Sequence, residues 1–110
     1  MDKIAMLPKI ENMLSPRTGK PVANQYIIVQ EGGILGNFIK REVFQSYKSI
    51  IASVTYWGDN NDNKIEVVLD EYYWNYSVTT SKYRNEFLKE TTQETKKKIA
   101  SGLYKLANLN

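Results

Sequence analysis

Cysteine and histidine are both missing from this chain, and the two absences remove most of the chemistry that a small domain can carry. Without cysteine there is no disulfide, no thiolate nucleophile and no Cys-based zinc site. Without histidine the side chain that most often serves as general base or metal ligand is gone as well. Catalytic roles would fall to Asp, Glu, Lys, Tyr or Ser, and no pair of these stands in a recognisable catalytic spacing. Asp70 and Glu71 are adjacent, but neighbours on a strand point to opposite faces. Neither catalysis nor a cofactor is expected. Long apolar runs are lacking too: none approaches the roughly 18 residues of a membrane span. The stretch MDKIAMLPKIENML carries an acid at its second position and no small-residue cleavage site, so it does not read as a signal peptide. The expectation is a cytoplasmic protein without a membrane partner.

What is present is ordinary in bulk and uneven in detail. Hydrophobic residues make up 42% and charged residues 25% of the 110 residues, the composition of one globular domain over 1–110. Eight tyrosines against three phenylalanines suit half-buried sheet faces and interfaces, where the ring is covered and the hydroxyl stays wet. The net charge of +3 is mildly basic. Its positive residues cluster at Arg17/Lys20, Lys40/Arg41, Lys82/Arg84 and Lys96–Lys98.

Taken in order, Ile4, Leu7, Ile10 and Leu14 mark a helical stripe interrupted by Pro8, which predicts a short helix or arm over Lys9–Leu14. A Pro/Gly loop, Ser15–Pro21, follows. Strands are predicted at Gln25–Gln30, Glu42–Ser46, Ser49–Trp57 and Lys64–Asp70 from their β-branched and aromatic runs. Residues 34–40 read as either loop or extra strand. The polar Gly58–Asn63 segment reads as a hairpin loop. Thr79 or Thr80 is expected to cap a helix reaching Lys89, with Tyr83, Phe87 and Leu88 on its apolar face against Ile27, Val29 and alternate residues of Ile65–Leu69. Thr91-x-x-Glu94 has the capping-box form and opens a second helix that stops at Gly102, its inner face Ile99, Ala100 and Leu103. Leu103–Leu109 closes as a strand. The fold class is α+β: a largely antiparallel four- to five-stranded sheet, two C-terminal helices on one face, and a short N-terminal helix or arm.

Three segments invite a ligand. Asp59-x-Asn61-x-Asn63 matches the start of a calcium loop, but Lys64 stands where glycine is required and Asp70 where a bidentate Glu belongs, so no metal is expected. SPRTGK (15–20) has the make-up of a phosphate cradle without being a Walker A motif. TTSK (79–82) opens a helix, where free amides and the dipole attract anions. Arg17, Thr18, Lys20, Thr80, Lys82 and Arg84 are therefore the candidate nucleic-acid-binding residues. The cluster Tyr72, Tyr73, Trp74, Tyr76 beside them suits base stacking as well as core filling. Lys96–Lys98 reads as the solvated face of the last helix.

SPRTGKPVANQYII (15–28), FQSYKSIIA (44–52) and WNYSVTTSKYRNEFL (74–88) resemble a family of small uncharacterised proteins encoded by phages and mobile elements of Gram-positive bacteria. The family pattern falls here on Ser15, Arg17, Thr18 and Gly19, on Asn24 and Gln25, on Gln45, Ser46 and Tyr47, on Thr79–Lys82, and on Asn85, Phe87 and Leu88. The chain departs from it between Gly32 and Arg41, where that family carries a shorter hairpin. The resemblance implies a mobile-element origin and supplies no activity. The leading expectation is an accessory protein that binds nucleic acid, DNA ahead of RNA. The alternative is a protein-binding inhibitor of a host enzyme or defence system, with an oligomeric packaging accessory third. A homodimer stays open.

Overall fold

Among the described residues five strands pair in the order they leave the chain, and a sixth closes the sheet after two helices. The computed structural model describes residues 7–32, 38–58 and 63–110. The elements are β1 (Lys9–Leu14), β2 (Pro21–Glu31), β3 (Phe38–Ser46), β4 (Ser49–Gly58), β5 (Asn63–Asp70), α1 (Val78–Leu88), α2 (Thr92–Ala100) and β6 (Lys105–Ala107). They form one six-stranded sheet ordered β1-β2-β3-β4-β5-β6. Every pair is antiparallel except β5–β6. That parallel pair needs a crossover, and α1 and α2 supply it. The protein is α+β, as the strand and helix patterns predict.

The sixth strand beyond the expected four or five is the N-terminal edge, while the closing strand expected within Leu103–Leu109 is β6 at the other edge. Lys9–Leu14 is strand β1 and not a helix. Ile10 pairs with Ile28 and Glu11 with Ile27, so a backbone edge that would otherwise stay open along β2 is satisfied. Positions 10 and 14 fit a period of two as well as a period near four, and Pro8 forbids a helix from reaching back to Leu7. The possible strand at 34–40 is partly settled: Phe38–Lys40 belongs to β3, and residues 33–37 lie outside the described residues. Asp59 and Asn61 of the calcium-loop candidate lie outside them too, and its remaining positions, Asn63, Lys64 and Asp70, belong to β5. Gly32 sits where a Cβ would meet the Phe38 carbonyl oxygen at 1.6 Å, so only glycine lets β2 and β3 approach there.

The core lies between one sheet face and the helices, in two clusters. Ala52, Val54, Val67, Leu69 and Tyr104 form one, with Trp74, Leu88 and Ile99 against it. Met13, Phe44, Ile51 and Tyr83 form the other. Phe87 packs on both, its ring 5.8 Å from that of Phe44. The Tyr83/Phe87 stripe thus meets the sheet as expected, and Val67 and Leu69 are the β5 residues it finds. Ile65 is exposed.

The helix starts differ in detail. Ser77, not Thr79 or Thr80, caps α1, its hydroxyl accepting the Thr80 amide. Thr91 and Glu94 form the capping box of α2 as the sequence requires. The inner face of α2 is Thr95 and Ile99, while Ala100 and Leu103 point to solvent. Glu90 ties this helix down: its carboxylate accepts from Lys98 at 2.7 Å, Thr95 at 2.6 Å and Tyr104 at 2.8 Å. Burial works against that charge, but these three bonds hold the carboxyl below its ordinary value. Lys98 is therefore partly engaged, while Lys96 and Lys97 are solvated. No described helix is long and apolar enough to cross a membrane.

Candidate functional site

The meander gathers several loops at one end of the sheet. The Ser15–Lys20 turn, the two-residue Tyr47-Lys48 turn, the 71–77 segment after β5 and the N-terminus of α1 all lie there, because β2 and β4 begin, and β3 and β5 end, on that side. Arg17, Lys20, Lys48 and Lys82 share this end, and all four are exposed.

Two buried charges fix the 71–77 segment. Asp70, at the end of β5, is 1% exposed. Its carboxylate accepts the amides of Tyr72 (3.0 Å), Tyr73 (2.8 Å) and Leu109 (2.8 Å), and the Asn110 side chain (3.0 Å). Burial raises its pKa, but those four bonds outweigh burial and hold it below the usual carboxylate range. From the other side Arg84, fully buried, donates to the Trp74 carbonyl at 2.6 Å and to Asn75 Oδ1 at 3.0 Å. It also donates to Asn85 Oδ1 and Thr92 Oγ1, and it lies over the Trp74 ring. Burial lowers its pKa, partly offset by the Glu90 charge. Held at both ends, Tyr72, Tyr73 and Tyr76 stack edge to face, with centroids 4.8 and 5.2 Å apart.

Tyr76 then stands between two open grooves. One, about 690 Å³, runs along the start of α1 past Asn75, Ser77, Val78, Ser81 and Lys82, with Glu86 as its acid. The other, about 710 Å³, lies among Asn24, Tyr26, Gln45, Tyr47 and Lys48. Asn24 and Tyr47 both hold positive φ, 66° and 56°, and the Tyr47 amide donates to the Asn24 carbonyl at 2.7 Å. Left-handed backbone at two non-glycine residues costs about 1 kcal/mol or more at each, and such strain concentrates at functional sites. Gln45 reaches the Tyr47 carbonyl through Nε2 at 2.8 Å. The wall of this groove is therefore preformed.

The six residues singled out from sequence divide sharply. Thr80 is fully buried and shares a 2.9 Å hydrogen bond with Ser46. Arg84 is the interior clamp just described. Neither is available to a phosphate, and Arg84 lies beyond the first turn of α1. In the Ser15–Lys20 turn the amides of Arg17 and Thr18 donate to Ser15 Oγ, that of Gly19 to the Ser15 carbonyl, and that of Lys20 to Thr18 Oγ1. The turn spends these amide donors on itself, which removes the backbone cradle and leaves the exposed Arg17 and Lys20 side chains and the Thr18 O–H donor. Lys82 is exposed on the first groove.

Sequence reasoning passed over Asn24, Gln45, Tyr47 and Lys48 as site residues. The signal was a two-residue Tyr-Lys turn between strands, where Gly or Asn is usual. It also passed over Gln25, which is fully buried and, among the described residues, finds no hydrogen-bond partner for its side-chain amide. Among the described residues no three Asp or Glu side chains come close enough to hold a metal. Residues 9–102 match the model of a family of unknown function (DUF8033). No curated protein and no solved structure matches the chain.

Proposed function

Since the chain belongs to the DUF8033 family, whose function is unknown, membership assigns no activity, and we propose from the geometry that the protein binds single-stranded nucleic acid at the turn end of its sheet. The observation that supports this most is the placement of the Tyr76 ring: it lines both grooves, with Lys48 on one side and Lys82 on the other. Aromatic rings alternating with cations match the spacing of base and phosphate along a single strand. Tyr47, 48% exposed, and Tyr76, 49% exposed, present ring faces for stacking. Asn24 and Gln45 offer amide edges to a base. Arg17 and Lys20 extend the positive surface from the neighbouring turn. This reading moves the anion contacts away from the buried Thr80 and Arg84 and keeps Arg17, Thr18, Lys20 and Lys82. It fits an accessory protein of a phage or other mobile element, the origin implied by the sequence resemblance.

Anisotropy titrations with labelled oligonucleotides of about 12 nucleotides, within the usual range of single-strand site sizes, test it. Single-stranded DNA and RNA should bind more tightly than duplex at low salt. Four phosphate contacts predict a log–log salt slope of about −3 on a single strand. Tyr76→Ala should weaken binding by about tenfold, the worth of one stacked base, without changing that slope. The Lys48→Ala/Lys82→Ala pair should reduce the slope by about half. No binding at low salt, or a Tyr76→Ala variant that binds like wild type, overturns the proposal. The exposed tyrosines, with Val78 at 88% exposure, would then be read as a protein-binding surface.

A further inference from the structure

The helices cover one face of the sheet and leave the other open. We propose that two copies of this chain pack these open faces together, about a two-fold axis running along β4. The strand registers carry the argument. On the open face one row across the sheet reads Ile28–Val43–Ser53–Val68, and the next reads Gln30–Arg41–Thr55–Glu66. The first row is apolar on both sides of β4, and a shallow depression of about 480 Å³ follows it, with Arg41 and Glu66 at its rim. An antiparallel sheet that faces water on one side ordinarily alternates to polar residues there. Here Ile28, Val43 and Val68 depart from that rule on either side of Ser53.

The second row identifies the occupant. Arg41 on β3 and Glu66 on β5 flank Thr55 on β4 symmetrically. Rotation about β4 brings β3 of one copy over β5 of the other, so Arg41 meets Glu66 of the second copy, twice, and Val43 meets Val68. A two-fold contact must be self-complementary in this way, whereas a partner of one charge sign would meet repulsion at one of the two positions. Within its own chain Arg41 donates Nε to Thr55 Oγ1 at 2.9 Å and lies 4.5 Å from the Phe38 ring centroid. Among the described residues no carboxylate reaches Arg41 within ion-pair distance, and Glu66 has the exposed Lys105 ammonium at 3.4 Å as its contact within the chain. Strands β2–β5 present a face about 19 Å wide and about 31 Å long, from strand spacing and rise, or about 600 Å² per copy. Doubled, that reaches the lower end of specific interfaces, so the dimer should be reversible. An axis parallel to the strands keeps both turn ends on the same side; Tyr26 and Gln45 of the second groove lie on the packed face, so the groove along α1 is the one each copy leaves exposed. The dimer itself does not depend on what those grooves bind.

Sedimentation equilibrium on the isolated chain tests it without any ligand. Wild type should rise in mass from one chain toward two as concentration increases. Arg41→Glu and Glu66→Arg, each alone, place like charges opposite each other and should weaken association by more than about tenfold. Mixed together, the two variants present only opposite charges across the axis and should form the heterodimer at wild-type strength. A wild type that stays monomeric, single variants that associate like wild type, or a mixture that stays monomeric each overturns the proposal. Far-UV circular dichroism of each variant, unchanged from wild type, accompanies the measurement.

Discussion

Replacing Arg84 by methionine should unfold this protein far more readily than any change at an exposed lysine. The guanidinium is fully buried and makes four hydrogen bonds, at 2.6, 3.0, 2.9 and 2.8 Å. Bonds from a charged donor contribute about 1.5–3 kcal/mol each, and burying the charge costs several kcal/mol in return. What decides the net effect is which acceptors the substitution strands. Asn75 Oδ1 keeps its 2.6 Å bond from Ser81, Thr92 Oγ1 keeps its contact with the Asn85 amide, and Asn85 Oδ1 keeps the Thr92 hydroxyl at 3.5 Å. The Trp74 carbonyl loses the Arg84 donor outright. A stranded buried acceptor costs about 1–3 kcal/mol, and the lost cation–π contact with Trp74 adds about 1 kcal/mol. The expected loss is therefore about 3 kcal/mol. For a domain of this size that lowers Tm by about 10–20 °C. Arg84→Lys should recover little, because an ammonium on a flexible stem cannot fork to carbonyl, amide and hydroxyl together. Urea titration followed by far-UV circular dichroism measures both variants. A Met variant within about 0.5 kcal/mol of wild type would refute the clamp. So would a variant of unchanged stability with a weaker salt slope in oligonucleotide binding, which would return Arg84 to the surface role suggested by its sequence position.

Two further outcomes follow from the same network and core. Phe87→Ala should cost about 3 kcal/mol, toward the low end for a phenylalanine truncation because the ring is only half-buried, and a cost below about 1 kcal/mol in urea titration would show that the two core clusters close without it. Asp70 and Glu90 both sit below their ordinary values in the folded chain, so each stabilises only when ionised. Their contribution should be complete above about pH 5, where the unfolded carboxylates near 3.9 and 4.3 are ionised, and should be lost as pH falls through the lowered folded values. Asp70→Asn turns an amide NH₂ toward donors that need an acceptor and should cost about 2 kcal/mol at pH 7 and progressively less as pH falls below the unfolded carboxylate range, while a loss that stays constant with falling pH would contradict this.

Local chemistry alone was enough for the elements whose causes are local. Ile27-Ile28-Val29 and Ile65–Leu69 are strands because β-branched residues fit a pleated surface. Thr91 and Glu94 cap a helix because their spacing closes two hydrogen bonds within one turn. What the chain order could not reveal is what each side chain meets. Lys9–Leu14 became an edge strand because β2 offered unpaired backbone, a fact about partners seven to twenty residues further along the chain. Arg84 and Thr80 look like solvent-facing helix residues in sequence, yet α1 turns that side onto the sheet. There Ser46 and the Trp74 carbonyl, 34 and 10 residues distant, satisfy them. Lys48, Tyr47, Tyr76 and Lys82 become neighbours for the opposite reason: a meander returns every second turn to the same end. Periodicity and capping act over a few residues and are written in the sequence. Burial of a charge and the making of a groove depend on pairs far apart along the chain, and only the closed sheet decides those.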